Sequence, residues 1–159
     1  MTSAETDTAP PLSLSPDEAT AVAGAAAAFA AALPPGRDEP YRALAAVAQT
    51  GTVPAELVEA LERVCVLALE TGKARQIGRA ESERLLTGVL RRTPHGRSMA
   101  EEIADVNRAL GQLAGRQLEA ARLTWRMPGH YELSLAVGGF ALTLAIGPEG
   151  VCVRNLQIG

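Results

Sequence analysis

The spacing of apolar residues divides the chain into a long helical part and a short strand-rich end. Between residues 15 and 126 apolar side chains recur every three to four positions, as in helices that bury one side. Over the last thirty residues the period changes to two, as in strands with one buried face. The sequence therefore predicts one α+β domain over residues 15–159. In it, four to five helices form a bundle, and a three-stranded antiparallel β-meander, residues 130–158, packs on the bundle.

Capping motifs and chain breakers set the bounds of the predicted helices. A serine, threonine or aspartate at a helix start accepts a free backbone N–H, and glycine or proline ends a helix. The resulting helices are 15–33, 38–49, 52–72, one inside 73–92 after a short basic connector, and 98–126. Ser98 and Glu101 form the capping box of the last helix, so Thr93-Pro94-His95-Gly96 is interpreted as the break before it. Residues 1–14 lack periodicity and are predicted to be a disordered tail.

The clearest local prediction is a β-hairpin that turns at Gly138-Gly139. Pairing the chain outward from this turn places apolar residues on one face and small or polar residues on the other. The apolar pairs are Val137 with Phe140, Leu135 with Leu142, Leu133 with Leu144, and Tyr131 with Ile146. A second turn at residues 147–150 leads into a third strand, with a bulge or a sheet edge after Val153. Three short strands are not stable alone in water, so the apolar face is expected to cover helices.

The last predicted helix carries the leading functional hypothesis. At roughly 40 Å it is longer than a core of this size needs, and it carries a heptad-like seam of apolar residues. The seam consists of Ile103, Val106, Leu110 and Leu113, which are the candidate interaction residues. The small-residue helix Val22–Leu33 and a possible open sheet edge also favour association. The sequence thus favours a bacterial protein-protein interaction or regulatory module that self-associates as a homo-oligomer or binds a protein partner.

The formal net charge of -3 conceals an uneven distribution of charges. The segment 73–97 is basic, whereas the residues before it are acidic. Nucleic-acid binding through this segment is therefore an alternative function, with Arg75, Arg79, Arg84, Arg91 and Arg92 as the phosphate-binding residues. The overall acidity and the lack of aromatic residues in the segment favour another interpretation. In it, the arginines face solvent or pair with the acidic part of this chain or of another subunit.

No group of reactive side chains indicates catalysis, so the sequence predicts a non-enzymatic protein without metal or cofactor. His95 and His130 are far apart and lack the spacing of metal ligands. Cys65 lies in an apolar run and is expected to be a buried thiol with a raised pKa, while the reactivity of Cys152 is left open. A small-molecule sensor with a pocket between helices and sheet is the third functional alternative.

Composition indicates a cytoplasmic bacterial protein. Arginine outnumbers lysine fourteen to one, a bias that is typical of GC-rich bacterial genomes. The two cysteines have no CxxC spacing and are expected to be reduced. The longest apolar stretch, residues 19–33, is mostly alanine and too short for a bilayer span, and acidic residues precede it where a signal peptide would be basic. No membrane association is therefore predicted.

Overall fold

The structure, a computed structural model, describes residues 10–158 apart from the side chain of Arg79. It divides the chain into two compact units between Arg97 and Ser98. Most of the predicted tail lies outside the described residues, but Leu12–Ser13 form a short strand, β1, instead of disordered chain. The single domain predicted for residues 15–159 stays a prediction.

The first unit is a helical bundle, whose bounds broadly follow the predicted helices. Its elements are β1, α1 (Pro16–Ala31), α2 (Glu39–Ala48), β2 (Thr52–Val53), a 3₁₀ helix (Ala55–Leu57), α3 (Val58–Glu70) and α4 (Lys73–Arg92). The capping box at the start of α1 is confirmed, because Glu18 N–H donates to Ser15 Oγ and Ser15 N–H donates to the Glu18 carboxylate. The predicted helix start at Thr52 is wrong, because this residue pairs with Ser13 of β1.

The core of the bundle lies between α1 and the three helices that contact it. Alanines of α1 lie at buried positions, and their small side chains let neighbouring helices approach closely. Leu44 of α2, Leu61 of α3 and Val89 of α4 are fully buried in this core. Helix α3 contacts α1, α2 and α4, so it has a central position in the bundle.

Helix α5 (Pro94–Gly111) begins four residues earlier than predicted. Thr93 has an extended backbone and is fully buried, and its hydroxyl accepts the N–H of Gly96 at 3.2 Å. Proline follows it at the first helical position, where its fixed φ suits a helix. The Glu62 carboxylate accepts the next free N–H, that of His95, at 2.8 Å. The segment interpreted as a break is therefore a helix start, and the predicted start at Ser98 lies inside α5.

The second unit contains most of α5 and a four-stranded antiparallel meander. Its strands are β3 (Leu118–Met127), β4 (His130–Val137), β5 (Phe140–Gly147) and β6 (Gly150–Ile158), in the spatial order β3-β4-β5-β6. The predicted hairpin register is confirmed for every pair between Val137–Phe140 and Tyr131–Ile146. Both turn glycines have positive φ, 49° and 83°, as a two-residue type I′ turn requires. The irregularity expected in the strand after this hairpin is also confirmed, because the β5–β6 register shifts next to Leu144.

The predictions of a long helix over 98–126 and of a three-stranded meander are both wrong, and the same segment, residues 118–127, accounts for both errors. Helix α5 ends at Gly111, and residues 118–127 form a fourth strand that pairs with β4. Leu118, Ala121 and Trp125 have helical spacing, and the segment is rich in good helix formers. In the strand, however, each of them lies opposite an apolar residue of β4. Pairing with β4 thus outweighs the local helical preference.

Candidate interaction surface

All four strands contribute apolar residues to one face of the sheet. Side chains directly opposite each other in antiparallel strands share a face, so the register extends the predicted apolar face from β4 and β5 to both outer strands. From β3 to β6, the residues of this face are Leu118, Ala121, Leu123, Trp125; Tyr131, Leu133, Leu135, Val137; Phe140, Leu142, Leu144, Ile146; Val151, Val153, Leu156 and Ile158. The face contains no polar side chain other than the hydroxyl-bearing tyrosine.

Helix α5 covers only the middle of this apolar face. Its Val106 and Ala109 pack in one cluster with Leu142 and Leu144, which are 0% and 4% exposed. A four-stranded sheet is about 19 Å wide and a helix about 10 Å, so one helix covers roughly half of the face. Strand β3 and the end of β6 stay open, whereas the start of β6 packs against the cluster. We call the exposed side chains Leu118, Leu123 and Trp125 of β3, together with Tyr131 of β4, the β3 strip.

The structure splits the predicted seam between the core and the surface. Val106 is buried against the sheet, and Leu113, which follows the end of α5, is half-buried there. Ile103 and Leu110 are 46% and 37% exposed, and with Met99 they form an apolar row on one side of α5.

The apolar row of α5 lies on the side nearest β3. Helix α5 runs parallel to β4, because Glu102 lies beside Gly150 in the β5–β6 turn and Arg116, just after the helix, lies over Phe140 at the other end of the sheet. Val106 and Ala109 face the sheet, and α5 is a right-handed helix that runs in the direction of β4. The row of Met99, Ile103 and Leu110 therefore lies on the side of α5 that is nearer to β3. The row and the β3 strip therefore form the two sides of one open apolar groove.

The β3 residues of this strip were not predicted from the sequence, because Leu118, Leu123 and Trp125 fall inside the predicted helix 98–126. The signal was present in the alternation Leu123-Thr124-Trp125-Arg126, which has the period of a strand. Pro128-Gly129, which follows, is a further turn signal, and in the structure it connects β3 to β4.

The opposite face of the sheet is small or polar. Glu132 lies on it between two arginines, and its carboxylate accepts hydrogen bonds from Arg126 at 2.8 Å and from Arg154 at 3.4 Å. Its other members include Arg122, Ser134, Thr143 and Asn155. Apolar contact with another molecule is therefore expected only on the α5 side of the sheet.

Intramolecular ion pairs occupy three of the five arginines proposed for nucleic-acid binding. Arg75 pairs with Glu83, Arg84 with Glu81 at 2.6 Å, and Arg92 with Glu18 at 2.7 Å. The hydrogen bond from Arg84 lowers the pKa of Glu81, so that carboxylate stays charged and offsets its partner. The pair of Arg92 with Glu18 joins α4 to the acidic start of α1, as the competing interpretation expected. Arg91 is exposed, and nucleic-acid binding stays a prediction with reduced electrostatic support.

An apolar cavity lies between α1, α3 and α4 within the first unit. Its volume is about 170 Å³, and Phe29, Val64 and Ile77 are among its lining residues. Pockets for small molecules usually have volumes of roughly 300–1,000 Å³. The cavity is smaller than this range, and it lies among helices and not between helices and sheet, so the small-molecule sensor stays a prediction.

The two cysteines differ in their access to solvent. Burial, with a smaller contribution from Glu62, raises the pKa of Cys65 to about 12. Cys152 is exposed in β6. Only the second thiol is accessible to solvent, so we expect their reactivities to differ.

Labelling with iodoacetamide at pH 8 is expected to modify Cys152 and to leave Cys65 unmodified in the folded protein. At four pH units below its pKa, only about one Cys65 thiol in 10⁴ is ionised. Mass spectrometry of digested protein measures both sites, and Cys152→Ser is the control that should remain unlabelled until denaturant is added. Comparable labelling of both cysteines would contradict the burial of Cys65.

The same shift predicts alkaline destabilisation. The folded-state pKa of Cys65 is raised above the ordinary value of 9.0, so the folded protein binds the proton more tightly than the unfolded chain. This contribution to stability is complete below about pH 9 and decreases as the pH rises toward 12.

Comparison of the chain with protein-family models, curated proteins and solved structures gives no significant match. Within residues 10–158 no helix has the length and apolar character to cross a bilayer. In the same range, no three histidine, cysteine or acidic side chains lie close enough together to hold a metal ion. The function of the protein is therefore inferred from its surfaces.

Proposed function

We propose that this protein is a non-enzymatic interaction module that self-associates through the exposed apolar groove of its second unit. The observation that carries the proposal is the β3 strip, in which Leu123 and Trp125 are 62% and 65% exposed on the apolar face of the sheet. In this proposal the protein acts in a bacterial cytoplasm, where assembly would serve a structural or regulatory purpose.

An exposed patch of this kind is unusual on a monomeric protein. Contiguous apolar patches of more than a few hundred Å² usually mark an interaction site. Complete burial of a leucine side chain stabilises by roughly 1.5–3 kcal/mol. Covering the β3 strip on two copies therefore offsets much of the estimated 4–15 kcal/mol cost of association, and further contacts are needed to complete the interface.

The small core of the second unit gives an independent reason for a partner. Its cluster of buried side chains consists of Val106, Ala109, Leu142 and Leu144. Domains of about 60 residues bury only about 60% of the surface of the unfolded chain and are marginally stable. Association that buries part of the exposed apolar surface would stabilise such a unit. A second copy is the simplest partner, because most protein oligomers are symmetric homodimers.

The substitution Leu123→Asp is expected to convert the associated protein into a monomer. A carboxylate in the middle of the contact would lose its hydration, and association should weaken by at least about 100-fold. Multi-angle light scattering between 1 and 100 µM (roughly the range for weak dimers) measures the mass. Trp125 is the only tryptophan and lies in the β3 strip, so its emission should shift to the blue as the wild-type protein associates.

The matched control is Arg122→Asp, which places the same new carboxylate on the opposite face of the same strand. This variant should associate like the wild type. Leu110→Asp tests the α5 side of the groove, where loss of assembly with unchanged helix content would place Leu110 in the interface, and unfolding would place it in the core. A wild-type chain that stays monomeric throughout the range would refute the proposal.

A further inference from the structure

We infer that two copies join edge to edge through β3, antiparallel about a two-fold axis at Leu123, so that their meanders form one continuous sheet. This inference rests on the proposed self-association and specifies the contact, in which the β3 strips of the two copies lie side by side on one face and their side chains pack against each other across the axis. It follows from three features of β3: its free backbone groups, its pattern of charges and its regularity.

The free edge of β3 presents the backbone groups of alternate residues. In a two-residue hairpin the residues next to the turn form a hydrogen-bonded pair. In β4, Val137 and every second residue before it therefore direct their N–H and C=O groups toward β5. Their partners on β3 then direct the same groups away from β4. Ala121, Leu123 and Trp125 therefore present unpaired donors and acceptors at the edge, and the same three residues belong to the apolar face.

The pattern of charges excludes two of the three registers that are centred inside the regular run Ala121 to Trp125. The two-fold axis must pass through a residue and not between two residues. Only then do the apolar side chains of both copies lie on one face, with the residues that have free backbone groups opposite each other. An axis at Arg122 places the Arg122 side chains of the two copies opposite each other, and their positive charges repel. An axis at Thr124 places Arg122 of one copy opposite Arg126 of the other, and these charges also repel. An axis at Leu123 places Arg122 opposite Thr124 and Trp125 opposite Ala121. The bulky indole then covers the smallest residue of the facing strand.

The regularity of β3 distinguishes it from the other edge strand, β6. The pairing of β3 with β4 is regular from Ala121 to Trp125, and its two register shifts lie outside this run. Strand β6 has its irregularity in the middle, next to Val153. Bulges of this kind disrupt an edge and protect it from pairing with another chain. Only β3 therefore offers an uninterrupted edge of sufficient length.

Disulfide trapping tests the position of the axis. In a Cys152→Ser background, where the remaining native thiol is buried, Leu123→Cys places two thiols across the axis. Facing residues of a hydrogen-bonded pair have Cα atoms about 5.5 Å apart, within the range of a disulfide. We expect this variant to form a covalent dimer under oxidised glutathione at least tenfold faster than Thr124→Cys, whose copies would lie too far apart. Faster trapping of Thr124→Cys would overturn the inferred axis.

Proline at position 121 tests the edge itself. Ala121→Pro removes a backbone donor that faces away from β4, so the internal ladder stays intact, as edge strands tolerate. The variant should keep the wild-type circular dichroism spectrum, lose dimer mass and lose the concentration-dependent shift of Trp125 emission. If Leu123→Asp is monomeric while Ala121→Pro still dimerises and Leu123→Cys is not trapped, self-association stands and edge pairing is wrong. If the wild type is monomeric, both proposals fail.

Discussion

Replacing Gly96 by alanine is expected to destabilise the first unit by about 3 kcal/mol or more, the upper range for overpacked sites. A Cβ at this position would lie 1.9 Å from the carbonyl oxygen of Leu90 and 2.8 Å from Cα of Arg91. Both are backbone atoms, which cannot move without displacing the end of α4. The movement would also break the hydrogen bond that Gly96 N–H donates to Thr93. Urea unfolding followed by circular dichroism at the helical minimum measures the loss.

Gly88 provides the matched control for this prediction. It lies inside α4, and an added Cβ would meet no atom within 4 Å. Alanine is a better helix former than glycine, so Gly88→Ala should stabilise the protein by about 0.5–1 kcal/mol. The two substitutions are expected to change the free energy of unfolding in opposite directions. A Gly96→Ala variant as stable as the wild type would show that Gly96 does not lie against the end of α4.

The second large effect is expected for Leu142→Ala, which should reduce the stability of the sheet by about 3 kcal/mol. Leu142 is fully buried under α5, and few other side chains share its cluster, so little material is available to fill the cavity. Hydrogen exchange of the β4 and β5 amides reports this unit directly. The amides of the variant should exchange more than 100-fold faster, as about 3 kcal/mol implies.

Leu123→Ala is the corresponding control on the same face. Its side chain is largely exposed in one copy, so truncation should change the stability by less than about 0.5 kcal/mol at concentrations below the onset of association. Equal effects of both substitutions on a monomeric protein would mean that Leu123 is covered within the chain. The contrast therefore also tests the exposure on which the proposed function depends.

The hairpin could be predicted from sequence because two independent signals agreed. The Gly138-Gly139 pair fixed the turn type, and the alternation of apolar residues on both sides fixed the register. At Ser15 the same kind of agreement, between a capping box and a proline at the first helical position, located the start of α1. Where local chemistry and apolar period indicate the same element, tertiary contacts only confirm it.

Strand β3 and the start of α5 could not be predicted in the same way, because local signals competed. The segment Leu118–Met127 begins with good helix formers, and only pairing with β4 makes it a strand. At the start of α5, Ser98 and Glu101 offered a capping box, but Thr93 with Pro94 offered an equivalent start that the carboxylate of Glu62 completes. That contact comes from a residue 33 positions away and cannot be read from local sequence.

The candidate site was predicted in part. The sequence identified Ile103 and Leu110 as apolar residues that need a partner, and their exposure is consistent with that expectation. It also included Val106 and Leu113, which contact the sheet of their own chain. The division depends on which side of α5 faces the sheet, and the local sequence does not specify this side because the helical spacing continues from α5 into β3.

The order of the strands has a consequence for the speed of folding. Each strand of the second unit pairs only with its neighbour along the chain, and three two-residue turns connect them. Closing such short loops costs little entropy, and chains dominated by near-neighbour contacts cross their folding barrier quickly. Starting from the Gly138-Gly139 hairpin, the meander can grow one strand at a time in both directions. Its assembly within each copy should therefore precede the encounter between copies, so that β3 is already ordered when a second β3 arrives.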